Sequence, residues 1–90
     1  MNIEQELKLR IQLDKMHKWP DVYMFKFVLP KDDDKLASLL SHFTDKAEIT
    51  TRDSAKGNYM SITIREVMFS SDAVVERYKS ITDIEGLLSL

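Results

Sequence analysis

The sequence predicts an α+β domain of the ferredoxin-like kind, in which a four-stranded antiparallel sheet carries two helices on one face and an N-terminal helix precedes the domain. Apolar patterning from residue 22 onward gives the element order β-α-β-β-α-β, which is the split βαβ plan. Both internal helical segments carry a single apolar stripe and therefore require the same sheet face. Only two glycines and two prolines interrupt the 90 residues, so most of the chain is expected in regular elements.

The N-terminal segment predicts a helix over residues 3–17. Ile3, Leu7 and Ile11 follow helical spacing, and the segment is rich in Glu, Gln, Leu and Lys, which are strong helix formers. Apolar residues also alternate between positions 7 and 13, so a strand remains the alternative. The "WP" pair at 19–20 is expected to end the helix. We therefore predict an N-terminal helical extension at 1–18 and a ferredoxin-like domain at 19–90.

The segment "VYMFKFVL" at 22–29 predicts the first strand, which ends at Pro30. Its alternation places one apolar set on each face, and only Lys26 interrupts the second set. Such a strand suits the centre of a sheet. The predicted inward residues are Tyr23, Phe25, Phe27 and Leu29, against Val22, Met24, Lys26 and Val28 on the other face.

The two internal helices carry clear start signals. In "KDDDKLASLLSHF", one of the aspartates at 32–34 can cap the first turn. In "SSDAVVERYKSI", the residues at 70–72 can do the same. The predicted apolar stripes are Leu36, Leu39, Leu40 and Phe43 in the first helix, and Val74, Val75, Tyr78 and Ile81 in the second.

The segments "AEITTRD" and "NYMSITIREVMF" predict two strands that form a hairpin through the short "SAKG" turn. Met60, Ile62 and Ile64 share one face of the longer strand. Gly57 is expected to supply a positive φ in the turn, and Asn58 tolerates the same region. The terminal "DIEGLLSL" predicts a closing strand.

Composition excludes several classes of function. Hydrophobic content of 43% with 31% charged residues is typical of a folded globular domain. A net charge of -2 gives no electrostatic reason to bind nucleic acid or an anionic membrane. The absence of cysteine excludes disulfides, thiolate catalysis and cysteine-based metal sites. No signal peptide and no apolar run of membrane-spanning length is evident, so we predict a cytoplasmic protein.

No catalytic or cofactor motif is recognisable. His17 and His42 are interpreted as surface histidines, and the aspartates at 32–34 as helix-capping residues. Lys56 and Gly57 lack the further glycines of a phosphate-binding loop. The RNA-recognition pattern fails because Asn58 stands at its first aromatic position and Met60 at its second. We predict neither an enzyme nor a resident cofactor or metal.

Several of these residues carry a resemblance to a known family. "WP" at 19–20, "FK" at 25–26, "S-x-KGNY-x-SITI" at 54–64, Tyr78 and the terminal "GLLSL" resemble the YbeD-like family of small bacterial proteins, whose function is unassigned. The resemblance covers about residues 19–90, and Ala55 replaces the family's usual second serine. It implies a ferredoxin-like domain similar to ACT regulatory modules. Members often carry a lipoate-related regulatory label, to which no residue here points.

Two classes of function follow. The first is a regulatory or ligand-binding ACT-like module, and the alternative is a protein–protein adaptor without a small ligand. The sheet face opposite the two helices must be solvated, covered by the N-terminal segment or buried in an oligomer. Because modules similar to ACT domains pair through strands or helices, the resemblance includes a homodimer through that open face among these alternatives. Pro30, Lys31 and Asp32 replace the glycine-bearing loop of classical amino-acid sites in ACT domains. The predicted ligand- or partner-binding residues are Lys26, Lys56, Gly57, Asn58, Tyr59 and Arg65.

Overall fold

The fold is described from a computed structural model that covers all 90 residues. One sheet contains all four strands in the order β2-β3-β1-β4, and every neighbouring pair is antiparallel. This is the ferredoxin-like α+β arrangement, and β1 lies inside the sheet as its two apolar faces predicted. The elements are α1 (Ile3–Met16), β1 (Asp21–Pro30), α2 (Asp33–Leu40), β2 (Glu48–Asp53), β3 (Tyr59–Met68), α3 (Ser71–Ser80) and β4 (Leu88–Ser89).

The hydrophobic core lies between the sheet and the helices. Alternate residues of β1 and β3 point into it, as the period-two pattern predicted. Leu39 of α2 and Val74 of α3 close the core from the helix side. Five of the inward strand residues are fully buried, namely Phe25, Phe27, Leu29, Ile62 and Ile64.

The first helix begins in a capping box formed by Asn2 and Gln5 and ends at Met16. The helix prediction is confirmed, and the strand alternative for this segment is wrong. Leu13 is buried in the main core, and Arg10 of α1 donates to Asp72 of α3 at 2.6 Å. The helix thus lies beside α3 on the helical side of the sheet and leaves the other sheet face uncovered.

The closing strand is shorter than predicted. Residues 81–87 form successive turns in which Ile84 N–H donates to the carbonyl of Ile81 and Leu87 N–H to that of Ile84. These turns contain most of "DIEGLLSL", so only Leu88–Ser89 pair with β1. Gly86 makes the reversal with φ 82.

Substituting the two glycines is expected to lower the free energy of unfolding by different amounts. Both adopt positive φ, 73 at Gly57 and 82 at Gly86. A Cβ at Gly57 meets nothing within 4 Å, whereas at Gly86 it would lie 2.9 Å from the Pro30 side chain. We expect Gly57→Ala to lower the free energy of unfolding by about 1–2 kcal/mol, the usual left-handed penalty, and Gly86→Ala by clearly more. Urea denaturation of both variants tests this, and equal losses would contradict the contact with Pro30.

Candidate functional site

The sheet face opposite the helices, here called the open face, has no covering element. Directly paired residues of antiparallel strands point to the same side, so the strand register assigns its members in cross-strand rows. Lys26 lies opposite Thr63, and Thr63 lies opposite Thr50. The neighbouring rows are Val28, Ser61 and Arg52 on one side, and Met24, Arg65 and Glu48 on the other.

A shallow cavity of about 390 Å³ occupies the middle of the open face. Its lining brings two cations, Lys26 and Arg52, beside three hydroxyl side chains. Neither cation forms an ion pair. Ammonium, guanidinium and hydroxyl groups can all donate hydrogen bonds to an anion. The side chains that line the cavity are Lys26, Thr50, Arg52, Ser61, Thr63 and Leu90.

The charge of the open face differs in sign from that of the whole protein. Its strand residues include Lys26, Arg52 and Arg65 but a single carboxylate, Glu48, although the chain carries a net charge of -2. Glu48 lies opposite Arg65 in register yet comes within ion-pairing distance of no cation. A locally positive surface attracts anions over several ångströms.

The structure divides the residues predicted from the sequence into two groups. Lys26 and Arg65 lie in neighbouring rows of the open face, about 7–8 Å apart as diagonal neighbours. Tyr59 lies on the same face opposite Pro30, four residues beyond Thr63 and thus roughly 13 Å along the strand. Of the six, only Lys26 lines the central cavity.

The other three predicted residues, Lys56, Gly57 and Asn58, lie in the hairpin turn. The positive φ of Gly57 is confirmed, but Asn58 does not share it, because no residue other than glycine has positive φ. Instead the Asn58 carbonyl accepts a hydrogen bond from Lys31 N–H at 3.0 Å. The turn sets the register of the hairpin and lies away from the cavity.

Arg52 and Thr50 are site residues that sequence reasoning missed. Both lie in β2, and alternation alone does not say which residues of a polar strand face which side. The hairpin register carried the missing signal: counting back from the turn places Arg52 opposite Ser61 and Thr50 opposite Thr63.

A buried ion pair lies on the opposite side of the sheet. The carboxylate of Glu66 accepts hydrogen bonds from Arg77 Nη2 at 2.7 Å, from Thr44 N–H at 2.8 Å and from Thr44 Oγ1 at 2.9 Å. The Arg77 guanidinium also lies 4.7 Å from the centroid of the Phe43 ring. Burial raises the pKa of Glu66, but the hydrogen bonds from Arg77 and Thr44 outweigh it, so the pKa lies below its usual value. The pair joins β3 and α3 to the loop after α2.

The histidines do not lie freely on the surface as predicted. His17 is partly buried, stacks on Trp19 at 4.9 Å and contacts the Asp21 carboxylate through Nδ1 at 2.8 Å. That hydrogen bond lowers the pKa of Asp21. His42 is also partly buried. Neither lies on the open face, and no group of three histidine or acidic side chains has the geometry of a metal site.

These features define a ferredoxin-like domain with one covered sheet face and one open, cation-bearing face. A family model described as a protein of unknown function, DUF493, matches residues 14–89. The chain belongs to this family, which is the YbeD-like family that the sequence resembles. Searches of curated proteins and of solved structures found no match. No helix has the length and apolar character needed to cross a membrane.

Proposed function

We propose that this protein is a non-catalytic regulatory module that binds a small carboxylate-bearing ligand on its open face. The observation that carries the proposal is the central cavity, where two unpaired cations lie beside threonine hydroxyls. We further propose that the protein acts in the cytoplasm, as its sequence suggests.

The chemistry of the cavity suits an anion. Hydrogen bonds to charged groups contribute about 1.5–3 kcal/mol each, so a carboxylate held by both Lys26 and Arg52 gains more than one such contact. The Thr50 and Thr63 hydroxyls have no hydrogen-bond partner within the protein and lie in the same row as Lys26. A volume of about 390 Å³ falls in the lower range of small-ligand clefts.

Two features favour binding over catalysis. The open face carries lysine, arginine and threonine but neither histidine nor cysteine, and acid–base catalysis near neutral pH works best with a group that titrates there. The cavity is also shallow, so water reaches a bound ligand.

The positive charge of the open face affects whether two copies can pair through it. Two open faces brought together would bring Lys26, Arg52 and Arg65 of both copies into one interface, and an excess of like charge at an interface is unfavourable. Anions bound between the copies would reduce this repulsion and so favour a homodimer through this face. Ligand binding and pairing are thus coupled in this proposal.

The second candidate is an adaptor that binds an acidic segment of another protein. It is favoured by exposed apolar side chains beside the cations on the same face, Val22, Met24, Val67 and Leu88. Such a mixture of apolar area and cations is common at protein–protein interfaces.

The proposed ligand site is tested by thermal unfolding with glutamate, succinate, citrate and lipoate as probes. A ligand at ten times its dissociation constant adds about 1.4 kcal/mol to the free energy of unfolding, which raises Tm by roughly 5–10 °C in a domain of this size. We expect the double variant Lys26→Gln/Arg52→Gln to lose the rise and the control Lys56→Gln at the hairpin tip to keep it.

A rise of equal size in the double variant would contradict the proposed site. No response to any acid, combined with capture of an acidic protein segment that the double variant loses, would favour the adaptor. Light scattering with and without the active acid then shows whether the ligand pairs two copies.

A further inference from the structure

The first helix, α1, leaves an apolar stripe uncovered. Ile3, Leu7 and Ile11 follow one another at four-residue intervals, and residues with this spacing lie on one side of a helix. Their exposed fractions are 83%, 55% and 49%. The helix contacts the core from another side, through Leu9 and Leu13. Packing within the domain therefore does not account for the stripe, and contiguous apolar side chains on a surface often mark an interface.

Most of α1 lies outside the part of the chain that the family shares. The family model begins to match at residue 14, whereas the stripe lies within residues 3–11. The rest of the chain forms the sheet and the other two helices, and it supplies all of the main core except Leu13. The stripe is thus a feature that α1 adds to the shared domain, on the helical side and away from the open face.

Charged residues lie around the stripe in a defined order. Glu4 and Lys8 lie along one edge, where they form an exposed pair at 3.3 Å. The other edge faces α3, which Arg10 contacts through Asp72. Asp14 follows the last stripe residue by three positions, so it continues the same side of the helix, and it is exposed.

We propose that α1 pairs with α1 of a second copy of the chain, antiparallel and centred on Leu7, so that the chain forms a two-fold symmetric dimer through its helical side. The two Leu7 side chains meet at the symmetry axis. Ile3 packs against the partner's Ile11, because both lie four residues from Leu7. A two-fold interface uses the same surface of both copies and must therefore complement itself, which a stripe with this symmetric spacing does.

The charges favour the antiparallel direction. In a parallel pair each residue in line with the stripe meets its own copy, so the two Asp14 carboxylates would face each other. In the antiparallel pair Asp14 lies beside the N-terminal end of the partner's α1, where the helix dipole favours a negative charge. Antiparallel helices also bring the same edge of each together, which places Glu4 near the partner's Lys8. Exposed ion pairs add little affinity, but they set orientation.

The size of the stripe predicts a weak and reversible dimer. Stable interfaces bury about 800 Å² on each partner, which is more than three side chains and their neighbours supply. We therefore expect the chain to be monomeric when dilute and to pair as its concentration rises.

Sedimentation equilibrium of the full chain tests the pairing. The solution contains no added acid, so the outcome is independent of the ligand site proposed for the open face. We expect the average mass to rise from that of the monomer toward twice that value as the concentration approaches about 1 mM, the range of weak association.

Two substitutions in α1 locate the contact. Leu7→Gln should weaken the association about tenfold or more, because the change acts in both copies at the symmetry axis, and glutamine forms helices about as well as leucine. Met16→Gln is the matched control: Met16 is 71% exposed on the same helix but lies on the side away from the stripe. It should associate as the unaltered chain does.

Single cysteines test the direction of the pair, since the chain has none of its own. In the antiparallel pair, position 3 of one copy meets position 11 of the other. We expect a mixture of Ile3→Cys and Ile11→Cys, oxidised with glutathione disulfide, to form mixed disulfide dimers at least about fivefold faster than either variant forms dimers with itself. Mass spectrometry identifies the products.

Four outcomes would overturn the proposal. A monomer at every concentration would exclude the pairing, and association of Leu7→Gln equal to that of the unaltered chain would exclude the stripe. Faster dimer formation by Ile3→Cys alone would show a parallel pair. Loss of the association in Lys26→Gln/Arg52→Gln would assign the dimer to the open face.

Discussion

Replacing Phe25 with alanine is expected to lower the free energy of unfolding by about 3–5 kcal/mol. The ring is fully buried and lies at the centre of an aromatic cluster, with ring centroids 4.7 Å from Tyr23, 5.2 Å from Phe43 and 5.3 Å from Tyr78. Its removal leaves a cavity where β1, α3 and the loop after α2 meet. Since small domains are stable by about 5–15 kcal/mol, the variant should lose a large fraction of its stability.

Guanidinium denaturation monitored by circular dichroism measures this loss. Met24→Ala is the matched control, because Met24 precedes Phe25 in the same strand but points to the open face and is 44% exposed. We expect the control to lose less than about 1 kcal/mol. Similar losses at the two positions would contradict the assignment of inward and outward residues in β1.

Replacing Arg77 with leucine is expected to cost about 2–4 kcal/mol at pH 7. Removing one partner of a buried ion pair leaves the other charge without compensation, and the side chain of Glu66 is only 5% exposed. The cost should fall below that of a fully buried pair because 18% of the Arg77 side chain is exposed. Urea denaturation of Arg77→Leu measures it.

The double variant Glu66→Gln/Arg77→Leu serves as the control, because the glutamine carbonyl can still accept the hydrogen bonds of Thr44 without carrying a charge. We expect it to recover most of the lost stability. If the double variant is no more stable than Arg77→Leu, the loss of stability arises from the lost packing of Arg77 on Phe43 rather than from the unpaired, buried carboxylate of Glu66.

The pH dependence gives a second measurement of the same pair. The folded-state pKa of Glu66 is lowered, so its contribution to stability is present above the unfolded-state value of about 4.3 and is lost as the pH falls through the lowered folded value. Glu66→Gln should therefore make the free energy of unfolding less dependent on pH in this acid range. In Arg77→Leu, the hydrogen bonds from Thr44 remain but the arginine no longer lowers the pKa of the carboxyl. That pKa should therefore rise relative to the unaltered protein, and stability should depend less on Glu66 being ionised.

Much of the fold follows from local signals that the sequence displays. The period-two pattern of β1 specifies its buried face, and the aspartate run supplies Asp32, which accepts hydrogen bonds from the N–H groups of Asp34 and Lys35. The position of α1 did not follow, because an amphipathic helix does not specify which surface it packs against. Burial of Leu13 in the main core decides it, and contacts between residues far apart in sequence, such as the Arg10–Asp72 ion pair, add to it.

Part of the candidate site could also be predicted from local signals in the sequence. Alternation alone places Lys26 and Arg65 on the outward face, but Arg52 requires the hairpin register and the point at which β2 ends. Strand ends depend on where turns such as that at 44–47 leave the sheet. Local propensity determines such ends poorly, because tertiary contacts compete there.

The edge strand β2 affects how readily the protein aggregates with other copies of itself. All six of its residues are exposed, and an unpaired strand edge is the usual template for aggregation. Here the strand is short and carries Glu48, Arg52 and Asp53, and the last of these is held by Lys31 at 2.8 Å. Charges on an edge oppose pairing with another edge. The strand that supplies Arg52 to the open face thus also protects the sheet against edge-to-edge fibre growth.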